Sequence, residues 1–343
     1  MKPEDIGNIR LISQQIAESQ FKTAREVAGW MGAIQAQDYN MAKWALGVRL
    51  PGSTADIIQA AIDQGKILRT HVLRPTWHFV SADDIYWMLE LSAPRIKAFA
   101  KGRYKELELT APVLLKSYSI LEKALSGGKH LIREELVSEF NKAKIRTDDN
   151  RAAHLLMNAE LEGLICSGAA KGKKQTYALL EERVPKPKSP DREEALAQLT
   201  IRYFTSHCPA TLEDFAWWAG LTLTDARCGM ELVRSHFISE KSGSQDYWLT
   251  DSYPHDNNNK TSVFLLPAFD EFTISYKDRS ASLLLSDHKK AISTNGLFRP
   301  LIVVNGKVTG LWKPVIRKDK VIIETDFFKP HKQIFTNKAG KSS

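Results

Sequence analysis

In the middle of the chain, apolar residues recur every three to four positions through VLLKSYSILEKAL (113–125), the spacing of an amphipathic helix. Gly127 and Gly128 break that pattern, and LIREELVSEFNKA (131–143) resumes it. Asp148 and Asp149 offer a cap for a third helix over NRAAHLLMNAELEG (150–163), before two alternating segments, LICSG and QTYALL, flank AAKGKK (169–174). Three helices and a hairpin are the plan of a winged-helix unit. The order repeats from about residue 190: EEALAQLTIRYFTSH, then TLEDFAWWAG with Thr211 and Asp214 spaced as a capping box, then LTLTDARCGMELVRS, then FISEK and DYWLT joined across SGSQ. Serine or threonine followed three residues later by an acid marks a helix start. A looser copy occupies the N-terminal part, with NIRLISQQI, TAREVAGWMGAI (23–34) and STADIIQAAIDQG as helices and KILRTHVL and TWHFV as strands. In that copy MAKWALGVRL is inserted between two helices, and SADDIYWMLELSAPRIKAFAKG adds one or two more after the hairpin.

Beyond residue 255 the texture turns to strands, and Asn305-Gly306 between two apolar runs predicts a hairpin turn. EERVPKPKSPDR (181–192) and SYPHDNNNK (252–260) read as linkers. The predicted class is α+β. Its winged-helix units span 1–108, 109–184 and 190–252, followed by a small barrel-like β-rich element at 258–330 and a basic tail at 331–343.

Composition agrees with several units, because 343 residues exceed what one core usually organises. A formal charge of +8 suits an anionic partner such as nucleic acid. Cys166, Cys208 and Cys228 are an odd count at wide spacing, which fits a reducing cytoplasm better than a disulfide framework. No apolar run reaches the roughly 18 residues of a membrane span, and MKPEDIGNIR lacks a signal-peptide core. The expectation is a soluble cytoplasmic protein, probed further by its motifs. There is no glycine-rich phosphate loop, no nucleophile elbow and no paired His or Glu at metal-ligand spacing, so neither cofactor nor metal is expected.

Several residues suit a DNA duplex. Lys171, Lys173 and Lys174 sit at the tip of the second predicted wing, and Arg69, His71 and Arg74 lie on the first hairpin. The same residues also fit a solvated basic turn and, for His71, core packing. Trp30, Trp44, Trp77 and Trp87 crowd the first unit, as stacking surfaces or as core. The stretch IQAQDYN (34–40) sets Gln35, Gln37 and Asp38 after an apolar helix. Residues two apart diverge on a helix and share a face only in extended chain. Gln35 and Gln37 therefore converge only if the helix stops near Gln35; otherwise they are solvated glutamines at a helix end.

Four strings taken together, MGAIQAQDYNMAKWALGVRL, LRTHVLRPTWHFV, LLPAFDEFTISYKDR and FRPLIVVNGKVTGLW, resemble the AlkZ-like winged-helix DNA glycosylases, in that order from about residue 8 to 330. The resemblance implies three tandem winged-helix units around a concave DNA channel and excision of bulky N-alkylated purines, including interstrand crosslinks, as part of base excision repair. It implies a catalytic Gln, apolar residue, Gln signature at Gln35, Ala36 and Gln37, where a sister group has Asp at the second Gln. Asp38 either adds negative charge beside the sugar, or accepts a proton, or only caps the next helix. Double-stranded DNA is the implied partner, and a monomeric, nucleoid-associated enzyme without a lysine nucleophile the implied form. The alternative is a non-catalytic winged-helix DNA-binding or regulatory protein on the same scaffold.

Overall fold

The computed structural model describes residues 1–251, 261–318 and 320–329. The linker expected at 252–260 and the basic tail at 331–343 lie outside the described residues.

The N-terminal elements are α1 (Ile6–Ser13), α2 (Ala24–Met31), β1 (Ala33–Gln35), α3 (Tyr39–Val48), α4 (Ala55–Asp63), β2 (Ile67–His71), β3 (Trp77–Ser81) and α5 (Ile85–Glu106). Helix α2 opens on a capping box, with the Thr23 hydroxyl accepting from the Glu26 amide and the Glu26 carboxylate accepting from the Thr23 amide. It ends at Gly32, whose φ of 74° few other residues adopt. The chain then enters β1, the third strand of an antiparallel sheet ordered β1-β3-β2. Periodicity alone extends this helix to Ile34; the break at Gly32 and the vacant edge of β3 turn its last residues into strand. Helix α5 is one 22-residue helix through Pro94.

The middle section comprises α6 (Ala111–Leu125), β4 (Leu131–Ile132), α7 (Arg133–Lys142), α8 (Arg151–Leu161), β5 (Ile165–Ser167), β6 (Thr176–Leu179) and α9 (Leu180–Arg183). Gly127 and Gly128, both at positive φ, turn their amides onto the Glu182 carboxylate. Asp148 and Asp149 do not cap α8: Asn150, in the left-handed region without a side-chain bond, is the cap residue, and Asp148 pairs with Arg146. Then follow α10 (Arg192–Ser206), α11 (Leu212–Ala219), α12 (Leu223–Leu232) and the hairpin β7 (Ile238–Ser242) and β8 (Gln245–Leu249). The Thr211 and Asp214 capping box forms as expected, and Gly220 stops α11 at φ 65°.

The last section holds β9 (Val263–Leu266), α13 (Glu271–Ile274), α14 (His288–Ala291), β10 (Leu301–Val304), β11 (Lys307–Arg317) and β12 (Lys320–Phe327). Its four strands form a curled antiparallel sheet ordered β12-β11-β10-β9, an open arrangement rather than a closed barrel. Asn305 and Gly306 make the expected turn at φ 48° and 72°.

Packing joins segments far apart in sequence. The largest core unites Ala33, Leu68 and Val80 of the first sheet with Met88 of α5 and Leu199, Tyr203, Phe215 and Trp218 of α10 and α11. Ile34, Ala36 and Phe79 face a second core built on α2, α3 and α4. The middle section encloses its own core around Leu121, Leu136, Phe140 and Leu155. Leu11 and Ile16, from α1 and the residues after it, bury themselves with Leu266, Phe272 and Leu301 of the C-terminal section. Buried charge marks this seam. Arg49 makes two 2.9 Å bonds to the Asp270 carboxylate with neither side chain exposed, and Gln14 bridges Arg49 to the Tyr276 hydroxyl.

Candidate active site

Strand β1 decides where the glutamines point. Gln35 pairs in register with His78 of β3, and the Ala36 amide continues the ladder to the Trp77 carbonyl at 2.7 Å. Alternate residues of extended chain share a face. Ile34 and Ala36 both point into the second core, which leaves Gln35 on the other face of β1, and Gln37 follows two residues on, just past the strand end. The convergence condition is met because the helix stops four residues before Gln35.

Gln35 is 6% exposed and held from two sides. Its amide donates to Glu271 Oε1 at 2.6 Å, and its side-chain Oε1 accepts from an Arg74 terminal nitrogen at 3.0 Å. Glu271, fully buried, accepts from Trp218 Nε1 at 3.1 Å and from the Ser275 hydroxyl through its other oxygen. Burial raises the Glu271 carboxyl above its ordinary range, opposed first by the Ser275 bond and then by the Arg74 charge. Burial likewise lowers the Arg74 guanidinium, with Glu271 working against it. His207 lies 3.9 Å from the Glu271 carboxylate, and burial drives its imidazole well below the usual value, so it stands beside the carboxylate as a neutral ring.

Gln37 and Asp38 are exposed. Asp38 caps α3, one carboxylate oxygen accepting from the Asn40 and Met41 amides at 3.1 and 3.0 Å. Arg69 braces the peptide between the glutamines: Nε and one terminal nitrogen donate to the Ala36 carbonyl at 3.0 and 2.8 Å, and the other reaches Gln175 across to the second hairpin. The same guanidinium stacks 4.1 Å over Trp77. His71, the cross-strand partner of Trp77, has its ring centroid 4.0 Å from that indole and pairs with the buried Glu160 carboxylate. Arg69, His71 and Arg74, read from sequence as a DNA-contacting set, each make at least one polar contact within the protein, two of them directly on the Gln motif, while Arg74 Nε is without a partner among the described residues.

Lys171, Lys173 and Lys174 occupy the exposed tip between β5 and β6. Lys171 pairs with Glu135 at 2.9 Å and Lys174 with Glu134 at 3.8 Å; Lys173 has no ion pair among the described residues. Of the tryptophans, Trp87 and Trp218 are core, Trp30 is tied to the Ser13 carbonyl, and Trp44 packs on Trp312. Trp77 alone of the first-unit four lies against the braced motif. Arg74 also borders an open cleft of about 460 Å³ with Pro75, Arg95, Phe99 and Trp217. A larger cleft of about 890 Å³, lined by Phe21, Arg25 and Trp30, touches neither the Gln motif nor the basic residues of the two hairpins. Among the described residues no three His, Cys, Asp or Glu side chains converge on a metal position.

Glu271 was not singled out from sequence. An acidic pair, Asp270-Glu271, inside the apolar run LLPAFDEFTI was the available signal, since carboxylates flanked by core residues are buried only with partners.

A sequence model described as DNA glycosylase AlkZ-like matches residues 28–336. No curated protein matches the chain by sequence. Among solved structures, Streptomyces sahachiroi DNA glycosylase AlkZ superposes with a TM-score of 0.78 at 20% identity, over 94% of this chain and 90% of that one. At that identity the likeness speaks for a shared mixed helix and sheet fold.

Proposed function

The chain belongs to the AlkZ-like DNA glycosylase family, and on that premise we propose that it hydrolyses the N-glycosidic bond of N-alkylated purines in duplex DNA. The observation that carries this reading is the Gln motif itself: Gln35 clamped at backbone and side chain at the end of β1, and Gln37 two residues on and open to solvent. A purine alkylated at N7 or N3 is already cationic, so its departure needs little acid catalysis. The work left to the protein is to place a water and complement an oxocarbenium-like sugar. The water oxygen forms a bond to C1′ as the C1′–N bond breaks. The bonding pair passes to the purine and cancels its charge, and the water's proton leaves to solvent by way of the free Asp38 oxygen. Gln side chains orient that water without acting as a base, and no covalent lysine adduct is involved.

The proposal extends to the form of the enzyme. Each run of helices closed by a hairpin serves as a winged-helix unit, the three units line a concave channel for the duplex, and bulky adducts and interstrand crosslinks are within its range. Lys171, Lys173 and Lys174 at the second wing tip meet phosphates, Lys173 most directly because it is unpaired among the described residues. The enzyme works as a monomer in the nucleoid.

The test is release of the modified base from a duplex carrying N7-alkylguanine, scored by cleavage at the abasic site. Wild type produces abasic sites, and Gln35→Ala with Gln37→Ala loses at least about a hundredfold in single-turnover rate. Excision by the double variant at the wild-type rate would sink the assignment. Asp38→Asn separates two roles, since Asn caps a helix as well as Asp does. It is expected to fold with unchanged stability and excise about tenfold more slowly; an unaltered rate reduces Asp38 to a cap.

A further inference from the structure

We propose that Arg74 is a positioning residue that fixes which end of the Gln35 carboxamide faces the substrate, so that Gln35 acts as a hydrogen-bond donor and Gln37 as the acceptor. This rests on the glycosylase reading above and assigns unequal roles within its Gln pair.

The orientation follows from donor chemistry. A carboxamide carries a carbonyl oxygen and an amino group of nearly the same shape, and only its partners distinguish them. Arginine has five donors and no acceptor. The Gln35 end that sits 3.0 Å from the Arg74 guanidinium is therefore the carbonyl, and the amino group points the other way. That amino group has no protein acceptor among the described residues. It is also absent from the buried polar atoms lacking a partner, so it reaches solvent. Two N–H donors thus remain for a group arriving from solvent, two residues from Gln37, whose side chain is exposed and free of protein hydrogen bonds among the described residues.

Arg74 is itself held for this task. It sits half-buried in the turn after β2, drawn by the charge of Glu271, which grips the backbone of the same Gln35 through the 2.6 Å bond. One carboxylate thus hydrogen-bonds the main chain of Gln35 and favours the charged form of the guanidinium that contacts its side chain. Gly220 backs the turn closely: a Cβ there would collide with the Leu73 carbonyl and come within 3.3 Å of Arg74 Cγ.

A water poised for attack offers one lone pair to C1′ and has a second lone pair and two protons for the protein. An outward amide N–H of Gln35 takes the second lone pair, and the Gln37 carbonyl takes one proton. Two carbonyls would leave the water free to rotate its lone pairs away from C1′; one donor and one acceptor define its orientation.

Carboxylate replacement tests the asymmetry, because Glu retains acceptors and loses the donors. Gln35→Glu keeps the Arg74 contact, so its fold is secure. It is expected to lose about a hundredfold or more in single-turnover excision with duplex Kd within about threefold of wild type, whereas Gln37→Glu stays within about tenfold. Arg74→Gln slows excision at least about tenfold at unchanged Kd, and Arg74→Lys recovers part of the loss. The double variant Arg74→Gln with Glu271→Gln removes the buried charge imbalance. It should show the same slow excision while giving a wild-type circular dichroism spectrum. Equal losses for Gln35→Glu and Gln37→Glu, or wild-type excision by Arg74→Gln, overturn the assignment while leaving the glycosylase reading in place. Wild type that releases no alkylpurine overturns both.

Discussion

The seam between the N-terminal helices and the C-terminal section holds a fully buried ion pair at the end of α3, and removing half of it should be costly. Arg49 is 0% exposed and donates to the Ala45 carbonyl, to Gln14 Oε1 and to both Asp270 oxygens at 2.8 to 2.9 Å. Asp270→Ala deletes two charge-assisted bonds, each contributing about 1.5–3 kcal/mol. It also strands a guanidinium that water does not reach, a situation that costs about 3–5 kcal/mol when one partner of a buried pair is lost. The same carboxylate caps α13 through the Phe272 amide at 2.9 Å, adding roughly 1 kcal/mol. These contributions overlap, and a loss of about 4 kcal/mol is the expected sum. Urea unfolding followed by tryptophan fluorescence measures it, within a double-mutant cycle that includes Arg49→Met. The double variant should lose far less than the two single losses added, leaving a coupling of at least about 2 kcal/mol, because the Met side chain needs no counter-charge. A loss under about 1 kcal/mol for Asp270→Ala, or additive losses, would refute the view that this pair staples the seam.

Gly220→Ala forces a Cβ onto the Leu73 carbonyl at a left-handed position, φ 65°; it should lower stability by at least about 1 kcal/mol and slow excision by displacing Arg74, and wild-type excision by the folded variant would show that the turn tolerates movement. Burial drives the His78 and His207 imidazoles well below their usual value, so below about pH 6.5 the unfolded chain binds protons that the folded chain refuses. Their contribution is complete above that pH and lost as pH falls, by about 1.4 kcal/mol per pH unit for each ring, while the raised carboxyls of Glu160 and Glu271 act in the opposite sense. His78→Asn should therefore flatten the fall in urea midpoint between about pH 7.5 and about pH 5.5 relative to wild type, and parallel curves for the two proteins would contradict the assignment.

Much of the architecture was legible because its causes are local. The Thr211 and Asp214 box, the breaks at Gly127 and Gly220 and the Asn305-Gly306 turn each depend on groups within a few residues of one another, and all appear where the pattern put them. The errors share a different origin. Ala33 and Ile34 look like the end of a helix until β3 offers its free edge. Asp148 looks like a cap until Arg146 claims its carboxylate. Arg69 and His71 were sorted correctly onto one strand face, with Trp77 between them. What the sequence leaves open for them, a contact to DNA or, for His71, packing in the core, gains internal partners in the fold: the Ala36 carbonyl for Arg69 and Glu160 for His71.

By itself the sequence determined the order of helices and hairpins, the family motifs and the requirement that the chain be extended at Gln35 for its two glutamines to share a face, because periodicity, capping and backbone geometry act over a few residues. Only the tertiary structure decided that Gln35 is gripped by Glu271 from 236 positions away, that Arg74 turns its carbonyl inward, and that Asp38 spends one oxygen on a cap. A carboxylate, a guanidinium and an amide read alike in any stretch of chain. Which of them are desolvated against one another, and therefore which donors and acceptors remain for a substrate, is set by the packing of distant segments into one interior.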